Sequence, residues 1–180
     1  MLFETHDMSS GQTVRVMSEA LNYRQLLEEE ASRRGIRVFY HGRGAQWGRA
    51  GLRSKRIFIP TPHRFPSFFT GLHEIGHIVK NHQAGDGKSE YLWEYEAFRW
   101  AVEFCKEKGI PVPERTINNE RDIIAEKLRE EAEGGKENLD LEVVRFVKEG
   151  TDRDPDVAFV KKSISDEGRV TVQHHSRESA

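Results

Sequence analysis

The sequence predicts an α+β fold in which several helices surround a small sheet of about three strands. Over most of the chain, apolar residues recur every three to four positions with charged residues between them, which is the spacing of amphipathic helices. Between residues 36 and 59, short runs of β-branched and aromatic residues alternate with glycines, a pattern typical of strands and turns. A chain of 180 residues that carries both patterns is long enough for one domain with its own core.

The N-terminal half of the domain is expected to contain one helix and the whole sheet. Residues 1–12 are polar and are expected to form a flexible N-terminus. A helix is predicted over residues 16–34, where apolar residues recur every three to four positions. It is expected to end there because Gly35 follows as a stop signal. Strands are predicted at residues 36–40, 47–52 and 56–59. We expect an antiparallel sheet, which Pro60 ends because proline cannot donate to a strand ladder.

The C-terminal half is expected to be helical. Helices are predicted at residues 66–81, 89–108 and 114–133, and a short fifth helix begins at Asn138 or Asp140. The folded domain is therefore expected to span residues 13–149. Residues 150–180 are predicted to be a linker and tail, in which VAFVKKSI and RVTVQ either form a β-hairpin around SDEG or remain a polar tail.

The composition argues against several classes of partner. The chain has 28 Lys and Arg against 30 Asp and Glu, and a net charge of −2 gives no general reason to expect binding to nucleic acids or membranes. No apolar run approaches the roughly 20 residues that span a bilayer, and the N-terminus lacks the apolar region of a secretory signal. The single Cys105 is typical of a reducing compartment, so a cytoplasmic location is expected.

Residues 73–77 read HEIGH and match the pattern H-E-x-x-H. On a helix, His73 and His77 lie one turn apart on the same face, so both imidazoles can bind one metal ion. Glu74 lies beside the first histidine, where it can accept a proton from a metal-bound water. It does not itself bind the metal. The surrounding segment is apolar, and buried histidines need polar partners, which a metal supplies. The motif therefore predicts a Zn²⁺ site, although the same ligands also accept Mn²⁺ or Co²⁺.

A catalytic zinc site needs a third protein ligand and an open position for water. Glu94 and Glu96 are the candidates, since they follow His77 by 17 and 19 residues on the next predicted helix. Glu94 shares a helix face with Ala97 and Ala101, whose small side chains allow the two helices to approach closely. The helix face therefore favours Glu94 over Glu96 as the third ligand.

His82 is the rival for this third position. It follows His77 by five residues, about 140° around a continuing helix, and so would point away from the metal. The sequence therefore favours a surface or helix-end position for His82 over a metal ligand.

The segment HEIGHIVKNH followed by EYEAFRWA resembles the ImmA/IrrE-like metallopeptidases, small zincins found in bacteria, phages and other mobile elements. That family pairs an H-E-x-G-H helix with a later E-x-x-A-x-x-F-A-like segment. In this chain Glu94, Ala97 and Ala101 match the later segment, and Trp100 replaces the phenylalanine. The resemblance covers residues 17–108 and implies a minimal zincin-like fold.

Carried over to this chain, the resemblance implies zinc ligands His73, His77 and Glu94, with Glu74 as the general base. It also implies a protein or peptide substrate, such as a transcriptional repressor. The chain carries no convincing helix-turn-helix, so no direct contact with nucleic acid is expected.

One position departs from the family pattern. The family often has Asp or Asn directly after the alanine, where it can orient a ligand histidine, and this chain has Phe98 there. Such partners tune metal affinity and activity. Glu96, Glu103 or a backbone carbonyl could substitute for the missing group, or activity could be reduced.

The function expected from these observations is zinc-dependent hydrolysis of peptide bonds. One alternative is a regulatory binding protein that keeps the zinc site with weak or no catalysis, and another is a helical protein with an accidental motif. The candidates for stabilising the oxyanion are Tyr91, Tyr95, His63 and Arg64. The predicted strand at residues 56–59 is either an edge that receives an extended substrate or an interior strand.

Overall fold

The computed structural model describes residues 22–41, 47–83 and 87–171, and within them the chain forms six helices and one three-stranded sheet. The helices are α1 Tyr23–Arg33, α2 Phe65–Val79, α3 Glu90–Glu107, α4 Glu114–Glu133, α5 Leu141–Lys148 and α6 Pro155–Ser163. The strands are β1 Arg37–Tyr40, β2 Arg49–Gly51 and β3 Arg56–Ile59. The predicted α+β class is confirmed. The expected flexible N-terminus and the start of the predicted first helix lie outside the described residues.

The three strands form a mixed sheet in the order β1–β3–β2. Strands β2 and β3 are antiparallel, as predicted, because a tight turn ending at Lys55 joins them. Strands β1 and β3 are parallel, so the prediction of an antiparallel sheet is wrong for this pair. The physical reason is burial: β3 carries the fully buried Ile57 and Ile59 and takes the central place, with β2 at the far edge.

The inner face of the sheet packs against α2, and α1 packs against both α2 and β1. The contact depends on Gly71 of α2, because a methyl group there would lie 2.9 Å from Ile59 Cδ1 and would also overlap Leu27. With glycine at this position, α2 lies directly on the side chains of α1 and β3. The other long interface of α2 is with α3, and these two interfaces fix the motif helix in the middle of the protein.

Helices α4, α5 and α6 complete the core on the far side of α3. Residues fully buried among them include Ile124, Leu128, Val144 and Val157. Helix α4 contacts α3, α5 and α6, so it connects the motif half of the protein to the C-terminal helices. This position of α4 becomes important at the candidate site.

The segment after Gly150 differs from the expected hairpin. Residues Pro155–Ser163 form helix α6, whose first turn is capped by the Asp154 side chain accepting hydrogen bonds from two backbone amides. Aspartate followed by proline at the first helical position is a helix-start signal, and it outweighs the β-branched residues that follow. The predicted SDEG turn is present, because Ile164 and Val170 pair across it in an antiparallel bridge. Within the described residues, no helix is long and apolar enough to cross a membrane.

Candidate metal centre

The HEIGH motif lies within α2, and its first two side chains are buried. His73 and His77 lie on one face of the helix, and their Nε2 atoms are 3.0 Å apart. Two imidazole nitrogens at this distance either share a hydrogen bond, in which one ring donates its N–H, or both bind a metal ion.

Helix α3 brings Glu94 to the same point. Its Oε2 lies 2.9 Å from His73 Nε2, and its Oε1 lies 3.6 Å from His77 Nε2. The three ligand atoms all lie within 4.8 Å of one another. The structure therefore brings together the three residues that the sequence proposes as ligands.

The spacing of these atoms fits a zinc ion. Around a tetrahedral ion with ligands at about 2.0–2.1 Å, neighbouring ligand atoms are about 3.3–3.4 Å apart. The separations from His73 Nε2 to Glu94 Oε2 and to His77 Nε2, 2.9 and 3.0 Å, are somewhat shorter than this value, and that from His77 Nε2 to the other Glu94 oxygen, 3.6 Å, is somewhat longer. Two imidazoles, one carboxylate and an approach from solvent form a donor set typical of catalytic zinc.

The close approach of α2 and α3 explains how Glu94 reaches the histidines. A methyl group at Gly76 would lie 2.8 Å from the carbonyl oxygen of Ala97 and 3.0 Å from its Cα, so the two backbones are in contact. Ala101 is also fully buried on this face of α3. Glu94 lies one turn before Ala97, and the contact therefore points its carboxylate at the gap between His73 and His77.

Glu96 lies on a different side of α3 and does not reach the two motif histidines. Its carboxylate accepts hydrogen bonds from Lys88 Nζ at 2.8 and 2.9 Å. Its Oε2 also lies 2.9 Å from His82 Nε2.

His82 follows the end of α2, which is one of the two expected positions, but with 1% of its surface exposed it is buried and not on the surface. The estimate that His82 points away from the metal assumed that the helix continues to His82, whereas α2 ends at Val79. Asn81 then adopts a left-handed conformation with φ 55°, and the His82 amide donates back to the His77 carbonyl. This is the Schellman pattern of helix ends, and it turns the chain back on itself.

The turn places His82 against the back of His77. The two Nδ1 atoms are 2.9 Å apart, and the His82 ring stacks on Trp93 with ring centroids 5.9 Å apart. If His77 presents Nε2 to a metal, its Nδ1–H donates to His82 Nδ1, and His82 Nε2–H donates to Glu96. Burial lowers the pKa of His82, which agrees with the neutral ring that this chain of hydrogen bonds requires.

Glu120 of α4 takes the corresponding position behind His73. Its Oε2 lies 3.2 Å from His73 Nδ1, an ion-pair distance without good hydrogen-bond alignment, and neither atom has another partner. A carboxylate on the outer nitrogen of a ligand histidine fixes its tautomer and raises its basicity. Glu120 thus supplies the group that is missing at Phe98, whereas the suggested Glu103 is exposed and lies near Lys106.

If both histidines carry a proton on the outer nitrogen, His73 Nε2, His77 Nε2 and the Glu94 carboxylate would present lone pairs to one metal ion. Burial would lower the pKa of His73, but Glu120 and Glu94 together hold it well above its usual range. Burial likewise would raise the pKa of Glu94, but hydrogen bonds from His73 and His77 keep it low. Both shifts indicate that the site attracts a positive charge.

Glu74 is not part of the ligand cluster. It lies in the buried wall beside His73, and burial is the main cause that raises its pKa. Gly48, just before β2, lies against it, because a methyl group there would be 2.5 Å from Glu74 Oε1. A carboxyl group with a raised pKa beside an open metal position is suited to accepting and returning a proton.

The cluster opens into a cleft of about 350 Å³. The cleft is lined by Gly48, Arg49, Ala50, Leu52, His73, Glu74, His77, His82, Trp93 and Glu94. The residues before and along β2 therefore form one wall, and α2 and α3 form the other.

None of the four suggested oxyanion donors lines this cleft. The Tyr91 hydroxyl accepts from the Asp140 amide, and the Tyr95 hydroxyl donates to Glu142, both toward α5. His63 and Arg64 are exposed where α2 begins. The cationic side chain that does line the cleft is that of Arg49.

Strand β3 is an interior strand, paired on both sides, so of the two alternatives for residues 56–59 the structure supports the interior one. The edge beside the cleft is β2, which pairs with β3 alone among the described residues. An extended chain entering the cleft would meet β2 first.

Comparison of the chain with protein-family models, with curated proteins and with solved structures finds no match.

Proposed function

We propose that the protein is a zinc-dependent metallopeptidase. The observation that carries the proposal is the convergence of His73, His77 and Glu94 on one point, with Glu74 beside it and an open cleft in front. Few structural roles need three lone-pair donors pointed at an open cavity, whereas metal hydrolases require this arrangement.

A zinc ion held by these three residues would polarise the substrate carbonyl and lower the pKa of a coordinated water to about 7. The chain itself supplies the acid–base group. Glu74 accepts a proton as water adds to the carbonyl carbon, and it then donates that proton to the departing amine. The raised pKa of Glu74 favours the second of these transfers.

The proposed substrate is an extended segment of a protein. Among the described residues, strand β2 is an edge strand on the cleft wall, and such an edge binds extended chains with little demand on their sequence. Gly48 lets the substrate backbone approach Glu74, and Arg49 is the candidate donor to the carbonyl oxygen. The resemblance to ImmA/IrrE-like peptidases suggests a transcriptional repressor as the protein that is cut.

The alternative is a regulatory protein that binds zinc and a partner but has weak or no catalysis. Its motivation is Phe98, which cannot orient a ligand histidine. Glu120 behind His73 and His82 behind His77 weaken that motivation, because each histidine has a partner on its outer nitrogen.

The first experiment is elemental analysis of protein purified without added metal. Wild-type protein should carry about one zinc per chain, Glu94→Ala should lose it, and the matched Glu96→Ala should keep it with weaker affinity. Absence of metal in wild-type protein, even after equilibration with zinc, would contradict the proposal. It would support the alternative of a helical protein with an accidental motif.

The second experiment separates the enzyme from the zinc-binding regulator. Wild-type protein and Glu74→Gln are incubated with a peptide library, and cleavage is followed by mass spectrometry. Cleavage by wild-type protein that Glu74→Gln abolishes while keeping its zinc supports the peptidase. A zinc-loaded wild-type protein that binds peptides but cleaves none supports the regulator.

A further inference from the structure

The outer face of the sheet carries aromatic side chains that the core does not use. Phe39 of β1 and Phe58 of β3 are direct cross-strand partners, with rings stacked 5.0 Å apart and exposed fractions of 40% and 36%. His41 lies 6.3 Å from the Phe58 ring and 4.2 Å from that of Trp47, which is 59% exposed. We call Phe39, His41, Trp47 and Phe58 the aromatic face.

This concentration of exposed rings is unusual for the protein. Five large hydrophobic residues of the described chain are exposed, and three of them are Phe39, Trp47 and Phe58. Scattered exposed hydrophobic residues need no explanation, but a contiguous group on one surface marks a binding site.

The stretch of sequence that contains this face is basic, although the net charge of the chain is −2. Residues 31–73 contain nine Lys and Arg and no Asp or Glu. Subtracting this +9 from the total leaves −11 for the remainder, so the chain is divided into a basic and an acidic part. The expectation of no nucleic-acid contact rested on the net charge and on the lack of a helix-turn-helix, and the net charge conceals this division.

Within the part of the chain that the structure describes, the arginines around the aromatic face have no acidic partners. Arg37 and Arg56 are direct cross-strand partners on this face, and Arg49 is paired in register with Phe58. Other arginines, such as Arg34 with Glu30, form ion pairs. The described residues place no carboxylate within ion-pair distance of Arg37, Arg49 or Arg56, and Arg56 Nε has no hydrogen-bond partner.

Two like charges opposite each other on a sheet are destabilising unless an anion lies between them. The guanidinium of Arg56 lies 5.9 Å from the Phe39 ring, which only partly compensates. As far as the described residues show, this surface combines flat apolar rings with positive charges that have no carboxylate partner.

We infer that the aromatic face and its arginines bind single-stranded nucleic acid. Phosphates complement the guanidinium groups, and unpaired bases stack on exposed rings, so one ligand satisfies both features. A duplex satisfies the charges but keeps its bases inside, and an acidic peptide supplies carboxylates without flat rings. Single strands thus fit the surface better than either.

The inference does not depend on the proposed peptidase activity, since neither the aromatic face nor Arg37 and Arg56 line the cleft, and only Arg49 borders both surfaces. The two surfaces are nevertheless neighbours, because Trp47 directly precedes Gly48, which lies against Glu74. A bound strand would lie at the rim of the catalytic cleft.

The test is fluorescence anisotropy with a labelled single-stranded DNA and RNA of about 12 nucleotides, within the usual site size of such surfaces. The same sequence as a duplex and poly-glutamate of equal charge are the competitors. We expect the single strand to bind at least about tenfold more tightly than the duplex, with affinity that falls as salt rises.

Two variant pairs separate stacking from charge. Phe39→Ser with Phe58→Ser should weaken binding about 10-fold or more, because it removes two rings on which bases stack. Arg37→Gln with Arg56→Gln should weaken binding and reduce the salt dependence. Arg115→Gln with Arg145→Gln removes the same charge from exposed positions on α4 and α5 and should leave binding unchanged.

Zinc content and thermal melting check that each variant is folded. Equal binding of the duplex, equal displacement by poly-glutamate, or unchanged binding by the phenylalanine pair would each overturn the inference in favour of a general polyanion or acidic-protein surface. Failure of wild-type protein to bind the single strand at low salt would also overturn it.

Discussion

Gly76 and Ala97 are in backbone contact, and this contact sets the distance between the motif helix and the helix that carries Glu94. A side-chain carbon at Gly76 would lie 2.8 Å from a carbonyl oxygen, which is backbone and cannot rotate away. The helices would have to separate, and the Glu94 carboxylate would move with α3.

The first prediction concerns this contact. Gly76→Ala should lower the free energy of unfolding by about 1–3 kcal/mol, the usual cost of overpacking. It should also weaken zinc binding, because Glu94 moves away from the histidines. Denaturant titration and zinc competition with a chelator measure the two effects, and a variant with wild-type zinc affinity would contradict the role given to this contact.

The second prediction concerns Glu120. Glu120→Ala should weaken zinc binding about 10–100-fold, because it leaves the buried Nδ1–H of His73 without an acceptor. Glu103→Ala is the control, since it removes an exposed carboxylate from α3. Equal zinc affinity of the two variants would show that Glu120 has no influence on His73.

The third prediction concerns His82. His82→Phe fills the buried space but removes the acceptor for His77 Nδ1–H, so zinc affinity should fall about 10–100-fold. His82→Asn keeps an acceptor near the same place and should retain most of the affinity. The visible spectrum of the Co²⁺ form should change in the Phe variant only. Similar affinities and spectra for both variants would reduce His82 to a packing role.

The fourth prediction concerns Gly48. Gly48→Ala should displace Glu74, whose Oε1 would be 2.5 Å from the new methyl group, and should lower peptide hydrolysis at least about tenfold with zinc retained. Gly51→Ala adds a methyl group to the same strand against the mobile Ser54 hydroxyl and should have a small effect. Loss of activity in both variants would point to the strand as a whole and not to Glu74.

The fifth prediction concerns Cys105. Burial raises its pKa to about 11, so the thiol stays protonated and unreactive at pH 8. Iodoacetamide should not modify the folded protein, and modification should be complete in denaturant, as measured by mass spectrometry. Rapid labelling of the native protein would show that α3 opens at this position.

Much of the fold follows from local patterns. The fourth helix has the predicted bounds, 114–133, since its apolar period and the glycines after it are local signals. The prediction of an antiparallel sheet is wrong for β1 and β3. Strand order depends on which strand the packed helices bury, and local sequence patterns do not show this. The sequence pattern does not predict helix α6, because the residues TDRDPD that contain its Asp-Pro start are also typical of a linker.

The sequence by itself determined His73, Glu74 and His77 as a group, because one helix turn fixes their relative positions. It also pointed to Glu94, since small residues one and two turns later imply a close helix pair. The tertiary structure decided the rest of the site. Glu120 comes from a helix 47 residues beyond His73, and His82 returns to His77 only because Asn81 ends the helix in a left-handed turn. No local spacing encodes such contacts, because they depend on how separate helices pack and where one of them stops.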